Sequence, residues 1–251
     1  MYEFFVDSDA VSEHQIYITG KDAHHIRDVL RMRPGEELAV SDGSGTLQYQ
    51  CTIREFTEAG VTLDILYVND VNAELPCRIA LFQGLPKSDK MEWIIQKAVE
   101  LGASEIIPVE TKRSVVKIED KKKSSRVERW QNIAEAAAKQ SKRRKIPKIE
   151  PIMSFGEALS YAEEFTVKLI PYELAEDMNY TRKLFTEEIK PGDSIAVFIG
   201  PEGGFAPEEI EKAQKQGAHP ITLGRRILRT ETAGMTVLSW LLYLLEDREE
   251  E

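Results

Sequence analysis

Cysteine is scarce in this chain of 251 residues, which limits how the fold can be held together. The two cysteines, Cys51 and Cys77, form no CxxC pair and belong to no His/Cys cluster. This argues against a disulfide framework and against a structural zinc site. We therefore expect a reducing, cytoplasmic compartment and no bound metal.

From the sequence we expect neither a membrane-spanning run nor a secretory leader. The longest apolar run, 235–245, is shorter than the roughly 20 residues that a membrane-spanning helix needs, so it predicts a buried helix. The first ten residues carry Glu3, Asp7 and Asp9 and have no basic start, unlike a signal peptide. We expect no membrane partner.

Charge is unevenly distributed along the chain. The formal net charge is −10, yet residues 112–148 contain 14 Lys/Arg against 4 Asp/Glu, which leaves 19 against 39 elsewhere. A basic segment within an acidic body is typical of a site for nucleic acid. Taken alone, the same run also fits a solvated helix face with a lysine-rich loop.

The pattern of elements predicts two domains. Residues 1–72 show short strand patterns around one helix at 22–32, which is typical of a small β-barrel. The polar stretch 69–76 is the predicted linker, and residues 73–251 alternate strands with helices. That alternation predicts a mostly parallel sheet covered on both faces. The predicted strands are 79–85, 105–109, 166–171, 195–199 and 220–223, and the predicted helices are 90–101, 124–143, 155–164, 207–216 and 232–246.

Two of these strands end in glycine-bearing segments, Gly-Pro-Glu-Gly-Gly at 200–204 and Gly-Arg-Arg-Ile-Leu-Arg-Thr-Glu-Thr-Ala at 224–233. Open α/β sheets bind ligands beyond the carboxyl ends of their strands. Neither GxGxxG nor GxxxxGK[ST] is present, and acidic residues 208–209 begin the helix after the first segment, so a phosphate ligand is not expected. A neutral or cationic ligand held by backbone groups fits better. An ordinary turn and an ordinary helix cap with surface arginines are the plainer alternatives.

Together the segments IGPEGGF and LGRRILRTETA resemble the SPOUT superfamily of knotted methyltransferases. Three further blocks match in order: HHIRDVLRMRPGEEL at 24–38, LFQGLPKSDKMEWIIQKAVELGASEIIP at 81–108 and EAAAKQSKRRKIPKI at 135–149. Within the superfamily the whole chain is similar to the bacterial ribosomal RNA small subunit methyltransferase E family.

The resemblance implies a PUA-like RNA-binding β-barrel at 1–72 and a SPOUT domain at 73–251 with a C-terminal trefoil knot at about 195–245. It also implies a homodimer and S-adenosylmethionine as cofactor. By correspondence, the residues expected to bind the cofactor are Leu169, Tyr172, Gly200, Pro201, Glu202, Gly203, Gly204, Leu223, Gly224, Ile227, Leu228, Arg229, Thr232 and Ala233.

With the family match, the basic residues favour contact with 16S ribosomal RNA of the small subunit. Lysine and arginine neutralise phosphates and orient RNA without reading its sequence. The candidate RNA-binding residues are Arg27, Arg31, Arg33, Lys87, Lys90, Lys112, Arg113, Lys142, Arg143 and Arg144.

The family reaction is methylation of N3 of a specific uridine, expected to be uracil 1498 of 16S RNA. Removal of the weakly acidic N3 proton needs a base, or a cation that stabilises the uracil anion. Arg229 is the candidate for stabilising this anion, with Glu202 or Glu231 placing groups or accepting the proton. Two alternatives stay open, a non-catalytic RNA-binding or ribosome-assembly factor and a conventional nucleotide-dependent enzyme.

Overall fold

A computed structural model describes residues 2–43, 47–70, 74–175 and 177–246. The chain forms two compact units. The small unit comprises Met1–Glu74 and Ala138–Ile146, and the large unit comprises Leu75–Ala137 and Pro147–Glu251. The segment 138–146, which the sequence pattern grouped with the second domain, therefore packs with the first. Part of the predicted linker, 71–73, lies outside the described residues.

The small unit is built on one five-stranded sheet with the order β1-β3-β4-β5-β2. Its apolar core includes Ile16, Ile26, Leu38, Cys51 and Leu63. β1 and β2 occupy the two ends of this path, so closure into a barrel stays a prediction. The strands are β1 (Glu3–Phe5), β2 (Gln15–Thr19), β3 (Glu37–Ser41), β4 (Leu47–Phe56) and β5 (Gly60–Asp70).

The predicted helix at 22–32 begins earlier and ends earlier. It consists of α1 (Gly20–His24) and a π-helical turn, His25–Val29. Arg31 then adopts a left-handed backbone with φ of 54°, which ends the helical path before Pro34. Arg31 therefore follows the helix rather than lying on it.

The large unit contains a parallel sheet with the order β12-β10-β11-β6-β7-β8, and β9 pairs with β7. The predicted parallel sheet is thus confirmed. Its strands are β6 (Arg78–Gly84), β7 (Glu105–Glu110), β8 (Lys148–Ile149), β9 (Met153–Ser154), β10 (Val167–Pro171), β11 (Ser194–Ile199) and β12 (His219–Ile221). The helices are α2 (Lys90–Glu100), α3 (Asp120–Gln140), α4 (Phe155–Tyr161), α5 (Met178–Lys183), α6 (Pro207–Lys215) and α7 (Thr230–Leu245).

The central strands are apolar on both sides because both faces of the sheet are covered. On one face Phe82 of β6 stacks on Phe198 of β11 at 4.3 Å between ring centroids, within a cluster that includes Phe155 of α4. On the opposite face Gly234 of α7 lies against Leu81 of β6. Alternate side chains of β6 therefore pack against helices on opposite faces of the sheet.

The parallel arrangement determines where the segments that leave the strands come together. The carboxyl ends of β6, β10, β11 and β12 lie at one edge of the sheet, so the chain segments that leave them meet there. Among the described residues, no helix combines the length and the apolarity that a bilayer crossing requires.

Candidate active site

Two loops at this edge form the candidate site: the first loop, 200–206 between β11 and α6, and the second loop, 222–229 between β12 and α7. In the first loop a Cβ added to Gly200 would lie 3.0 Å from the backbone of Gly204, and Gly204 itself has a φ of 65°. In the second loop Gly224 has a φ of 102°. These positions require glycine, since other residues would clash or be strained there.

A third glycine, Gly84 at the end of β6, allows the first loop to approach the strand. An added Cβ there would lie 2.7 Å from both the backbone nitrogen and the side chain of Pro201. The sequence pattern did not single out Gly84, because a lone glycine at the end of a strand reads as an ordinary turn. Its proximity to Pro201 exists only once β6 and β11 are paired.

Thr230, the first residue of α7, joins the two loops. Its hydroxyl donates to the carbonyl oxygen of Gly200 at 2.6 Å and accepts from Nε2 of Gln83 at 2.9 Å. The same Nε2 donates to the carbonyl oxygen of Gly84 at 2.9 Å, which fixes the orientation of the Gln83 amide because a carbonyl can only accept. Gln83 is fully buried, and its Oε1 has no hydrogen-bond partner among the described residues.

Gln83 is a site residue that sequence reasoning missed. One polar side chain at the end of an apolar strand is a weak signal, although a buried glutamine amide is costly unless its groups are bonded. Position 83 shares the α7-facing side of β6 with Leu81, which is why its amide reaches Thr230.

A charged cluster of Lys90, Glu202 and Glu231 also connects the two loops; we call it the Lys90 cluster. The ammonium of Lys90, the first residue of α2, lies 3.1 Å from Oε1 of Glu202 and 3.4 Å from Oε2 of Glu231. The Glu202 carboxylate also accepts from the backbone N–H of Lys87 at 3.1 Å. Oε2 of Glu231 is buried, and the Lys90 ammonium at 3.4 Å is the cation that compensates its charge.

The pKa values in the Lys90 cluster follow from these contacts. Partial desolvation works to raise the pKa of Glu202, but backbone N–H groups and the Lys90 ammonium outweigh it and hold the pKa below its ordinary value. The Glu202 carboxylate in turn raises the pKa of Lys90, with Glu231 adding to the effect. At neutral pH the cluster therefore contains an ionised Glu202 and a protonated Lys90.

The basic residues that follow β7 pack against the first loop and α6. Arg113 donates from Nη1 to the carbonyl oxygen of Gly203 at 2.9 Å. Lys112 donates its backbone N–H to the buried carboxylate of Glu209 at 2.8 Å, and its ammonium pairs with Glu208. Glu208 thus neutralises one charge of the basic segment, and Glu209 fixes the backbone there; the charge pattern alone did not indicate either contact.

The other residues expected at the cofactor site have varied surroundings. Leu169 is fully buried within β10, between β11 and β12, whereas Ile227 in the second loop is 88% exposed. Tyr172 donates its backbone N–H to the carbonyl oxygen of Ile221, which ties the exit of β10 to β12. Arg229 is exposed and occupies the N-cap position of α7. Leu223, Leu228 and Ala233 are half-buried, and Thr232 is exposed.

The structure separates the RNA-binding candidates of the small unit into two groups. The side chains of Arg143 and Arg144 are only 5% and 8% exposed and pair with Glu74 and Glu3, respectively. Buried and paired, they are not available to phosphates, so the sequence expectation for these two is corrected. The exposed candidates are Arg27, Arg31, Arg33 and Lys142.

Arg27, an exposed candidate of the small unit, forms an ion pair. Its Nε lies 3.3 Å from Oδ2 of Asp28, which also contacts His24. In the large unit Lys87 is exposed, as are Lys112 and Arg113 despite their contacts with α6 and the first loop. Within the described part of the chain, no group of three or more His, Cys, Asp or Glu side chains is arranged to hold a metal ion.

Comparisons with known proteins place this site in context. The family model for an RNA methyltransferase domain matches residues 73–242, and that for an RNA methyltransferase PUA domain matches residues 18–66. A Bacillus subtilis protein named Ribosomal RNA small subunit methyltransferase E is 36% identical over 231 residues, covering 91% of this chain and 90% of the relative. A Synechocystis protein of the same name is 30% identical over 251 residues, covering 98% of this chain and 78% of the relative.

Solved structures include a close match in fold. The crystal structure of Ribosomal RNA small subunit methyltransferase E from Neisseria gonorrhoeae, bound to S-adenosyl methionine, has a TM-score of 0.82 at 29% identity. The match covers 98% of both chains.

Proposed function

Because this chain belongs to the ribosomal RNA small subunit methyltransferase E family, we propose that it methylates N3 of one uridine in 16S ribosomal RNA, with uracil 1498 as the expected target. The observation that carries the proposal is the joining of the two loops at the carboxyl edge by Thr230 and Lys90. The resulting site contains strand-exit glycines and charged groups and lacks a phosphate-binding motif. Transfer of a methyl group to ribosomal RNA is the activity that the family carries.

S-adenosylmethionine is the cofactor, and the residues present fit it. Glycines at 84 and 200 keep the backbone free of Cβ atoms where the chain segments approach each other, and Gly204 supplies a left-handed backbone conformation with a φ of 65°. Two carboxylates and one ammonium give the Lys90 cluster a formal charge of −1, which favours a cationic ligand. The residues predicted from the sequence to hold the cofactor lie in the first loop, in the second loop and at the start of α7. Leu169 of β10 and Tyr172, which follows that strand, would contribute to the wall of the site.

The bound cofactor supplies an activated methyl group on a sulfonium, which carries its own leaving group. The protein then has to position uracil N3 and manage its proton. Arg229 is proposed to stabilise negative charge on the carbonyl oxygens that flank N3. Its position at the N-cap of α7, beside Thr230, places it at the junction of the two loops.

The two glutamates are proposed to differ in role. Glu202 has a lowered pKa and accepts from the Lys87 backbone, so it suits holding the loop better than accepting a proton. Glu231 lies 3.4 Å from the Lys90 ammonium, and its buried Oε2 accepts no hydrogen bond from a described residue. Because Glu202 is engaged in holding the loop, Glu231 is proposed to accept the N3 proton.

The RNA partner is proposed to contact exposed basic residues of each unit. Arg27, Arg31, Arg33 and Lys142 serve in the small unit, whose sequence matches the PUA model, and Lys87, Lys112 and Arg113 serve in the large unit. Because N3 lies on the pairing edge of uracil, the target base has to be unpaired or flipped out.

We further propose a trefoil knot at about 195–245, a homodimer and a cytoplasmic location. The bonds from Thr230 to Gly200 and Gln83 support a C-terminal segment that is closely tied to earlier strands. Trp93 of α2 and Tyr243 of α7 are exposed aromatic residues on two helices that pack together, and they support a helical dimer surface.

The test is methylation of small ribosomal subunits that lack the modification, with labelled S-adenosylmethionine and mapping of the labelled base. We expect one labelled N3-methyluridine in 16S RNA. Label at another base would correct the proposed specificity. Cofactor binding without transfer to any ribosomal RNA would favour the alternative of a non-catalytic RNA-binding or assembly factor.

A further inference from the structure

We propose that Lys90 is a positioning residue for the cofactor site and not a contact for RNA phosphate. Its ammonium holds Glu202 of the first loop and Glu231 of α7 in one ionic cluster. The inference rests on the proposed function, because it assigns a role within the same site. It replaces the RNA-binding role that the sequence pattern suggested for this lysine.

Three separate chain segments meet at this one side chain. Lys90 begins α2, Glu202 lies just after β11, and Glu231 lies in the first turn of α7. The contacts therefore hold the start of α2 to two segments that lie more than a hundred residues later in the sequence. Lys87 strengthens the same arrangement through its backbone N–H to Glu202, independently of its own side chain.

The charges require a cation at this position. Without Lys90, two carboxylates that now share one ammonium would repel each other in a partly buried setting. Glu231 depends on Lys90 in particular, because its buried Oε2 accepts no hydrogen bond from the described residues. Loss of the ammonium should therefore move the loop that carries Glu202 away from the start of α7.

The same geometry argues against a phosphate contact. The Lys90 side chain is 32% exposed and lies within 3.4 Å of both carboxylates, so its charge is already compensated. A phosphate would have to compete with two carboxylates and would meet a cluster of net negative charge. Lys87, three positions earlier in the chain, is exposed and suits an RNA phosphate better.

The experiment compares Lys90→Met, Lys90→Arg and Lys97→Met in the full-length protein. Lys97 is the matched control, because it lies on the same helix and pairs with Glu100 at 2.7 Å outside the site. Isothermal titration with S-adenosylmethionine in the absence of RNA gives the cofactor Kd. Steady-state kinetics on small subunits give kcat and the KM for each substrate, and thermal melting verifies that each variant is folded.

We expect Lys90→Met to weaken cofactor binding by about 10- to 100-fold with an unchanged KM for the RNA substrate, because misplacement of the binding loop outweighs the added negative charge, which by itself would attract the cationic cofactor. Lys90→Arg should recover most of the affinity, since a guanidinium can also bridge two carboxylates. Lys97→Met should bind the cofactor as the wild type does.

An unchanged cofactor Kd in Lys90→Met, with a raised KM for RNA, would overturn the inference and restore the phosphate role. If Lys90→Met does not fold, Lys90→Gln, which also removes the ammonium, tests the same link. It should also weaken cofactor binding at unchanged RNA KM, and wild-type cofactor affinity would refute the inference. A wild-type protein that binds cofactor but transfers no methyl would count against the proposed function alone.

Discussion

Thr230 donates its hydroxyl proton to the carbonyl oxygen of Gly200 at 2.6 Å. The bond connects the first residue of the C-terminal helix to the first residue of the first loop, thirty positions earlier in the chain. Because Gln83 donates to the same hydroxyl, one buried side chain links β6, the first loop and α7. The shape of the candidate site therefore depends on Thr230, although helix-capping rules alone would accept serine, aspartate or asparagine equally well at the start of a helix.

Replacing Thr230 by valine keeps the volume and removes both hydrogen bonds. The buried Gln83 amide and Gly200 carbonyl would lose a partner, so we expect the free energy of unfolding to fall by about 1–3 kcal/mol. Urea denaturation measures this, and Thr230→Ser, which keeps the hydroxyl, should lose much less. A valine variant as stable as the wild type would show that the bonds contribute nothing to stability.

Gly84→Ala should disturb the site through backbone contact. The new methyl group would lie 2.7 Å from Pro201, so the first loop has to shift, at a cost of about 1–3 kcal/mol and with weaker cofactor binding. Gly156→Ala is the control: Gly156 lies in α4, and an added Cβ there meets nothing within 4 Å. It should raise stability by about 0.5–1 kcal/mol. Thermal melting of the two variants should move in opposite directions.

Arg229→Ala should lower kcat by at least about tenfold at saturating cofactor, because a cation that stabilises the uracil anion acts mainly in the transition state. The matched control is Arg226→Ala, another exposed arginine of the second loop. Single-turnover methylation of small subunits separates the chemical step from product release. Equal single-turnover rates for the two variants would remove Arg229 from the mechanism.

Arg144→Met should act on stability and not on RNA affinity. Removing the guanidinium leaves the nearly buried Glu3 carboxylate without its cation, and losing one partner of such a pair costs about 3–5 kcal/mol. Lys145→Met, at an exposed position next in the chain, should change stability by less than about 0.5 kcal/mol. A drop in RNA affinity for Arg144→Met at unchanged stability would reinstate the RNA-binding role.

The two thiols should react slowly in the folded protein. Burial, assisted by nearby Asp193, raises the pKa of Cys77 to about 11, and burial with Asp64 raises that of Cys51 to about 12. The reactive thiolate therefore forms only at high pH. At pH 8 alkylation should be slower than in urea by roughly a few hundredfold for Cys77 and roughly a few thousandfold for Cys51, and should accelerate about tenfold per pH unit between pH 8 and 10. Equal rates in native and unfolded protein would contradict the prediction.

The sequence was sufficient for the parallel sheet but not for every helix. Buried strands such as β6 and β11 are continuous apolar runs, and the alternation with helices dictates their parallel pairing. The helix α5 was not predicted, although Asp177 caps it by accepting from the backbone N–H groups of Asn179 and Tyr180. It is only six residues long, too short to show a hydrophobic period.

The sequence predicted that the two loops of the candidate site lie at one edge of the sheet, but it did not predict the side-chain contacts between them. Strand exits identified the two loops, but Gln83 and Gly84 acquire their roles only from contacts with Thr230 and Pro201. For Arg143 and Arg144 the sequence suggested an RNA-binding role that their buried ion pairs do not support. They looked like surface charges because a local charge count cannot reveal Glu74 and Glu3, which are about 70 and 140 positions away.

The bond between Gln83 and Thr230 joins residues 147 positions apart. Contacts of such long range form late, because a long loop has to close before they contribute. During synthesis, β6 and its neighbours emerge from the ribosome well before α7, so a growing chain has no complete pocket. The proposed cofactor site is therefore complete only after the C-terminal helix has been translated, and cofactor binding at that site would report the completion of folding.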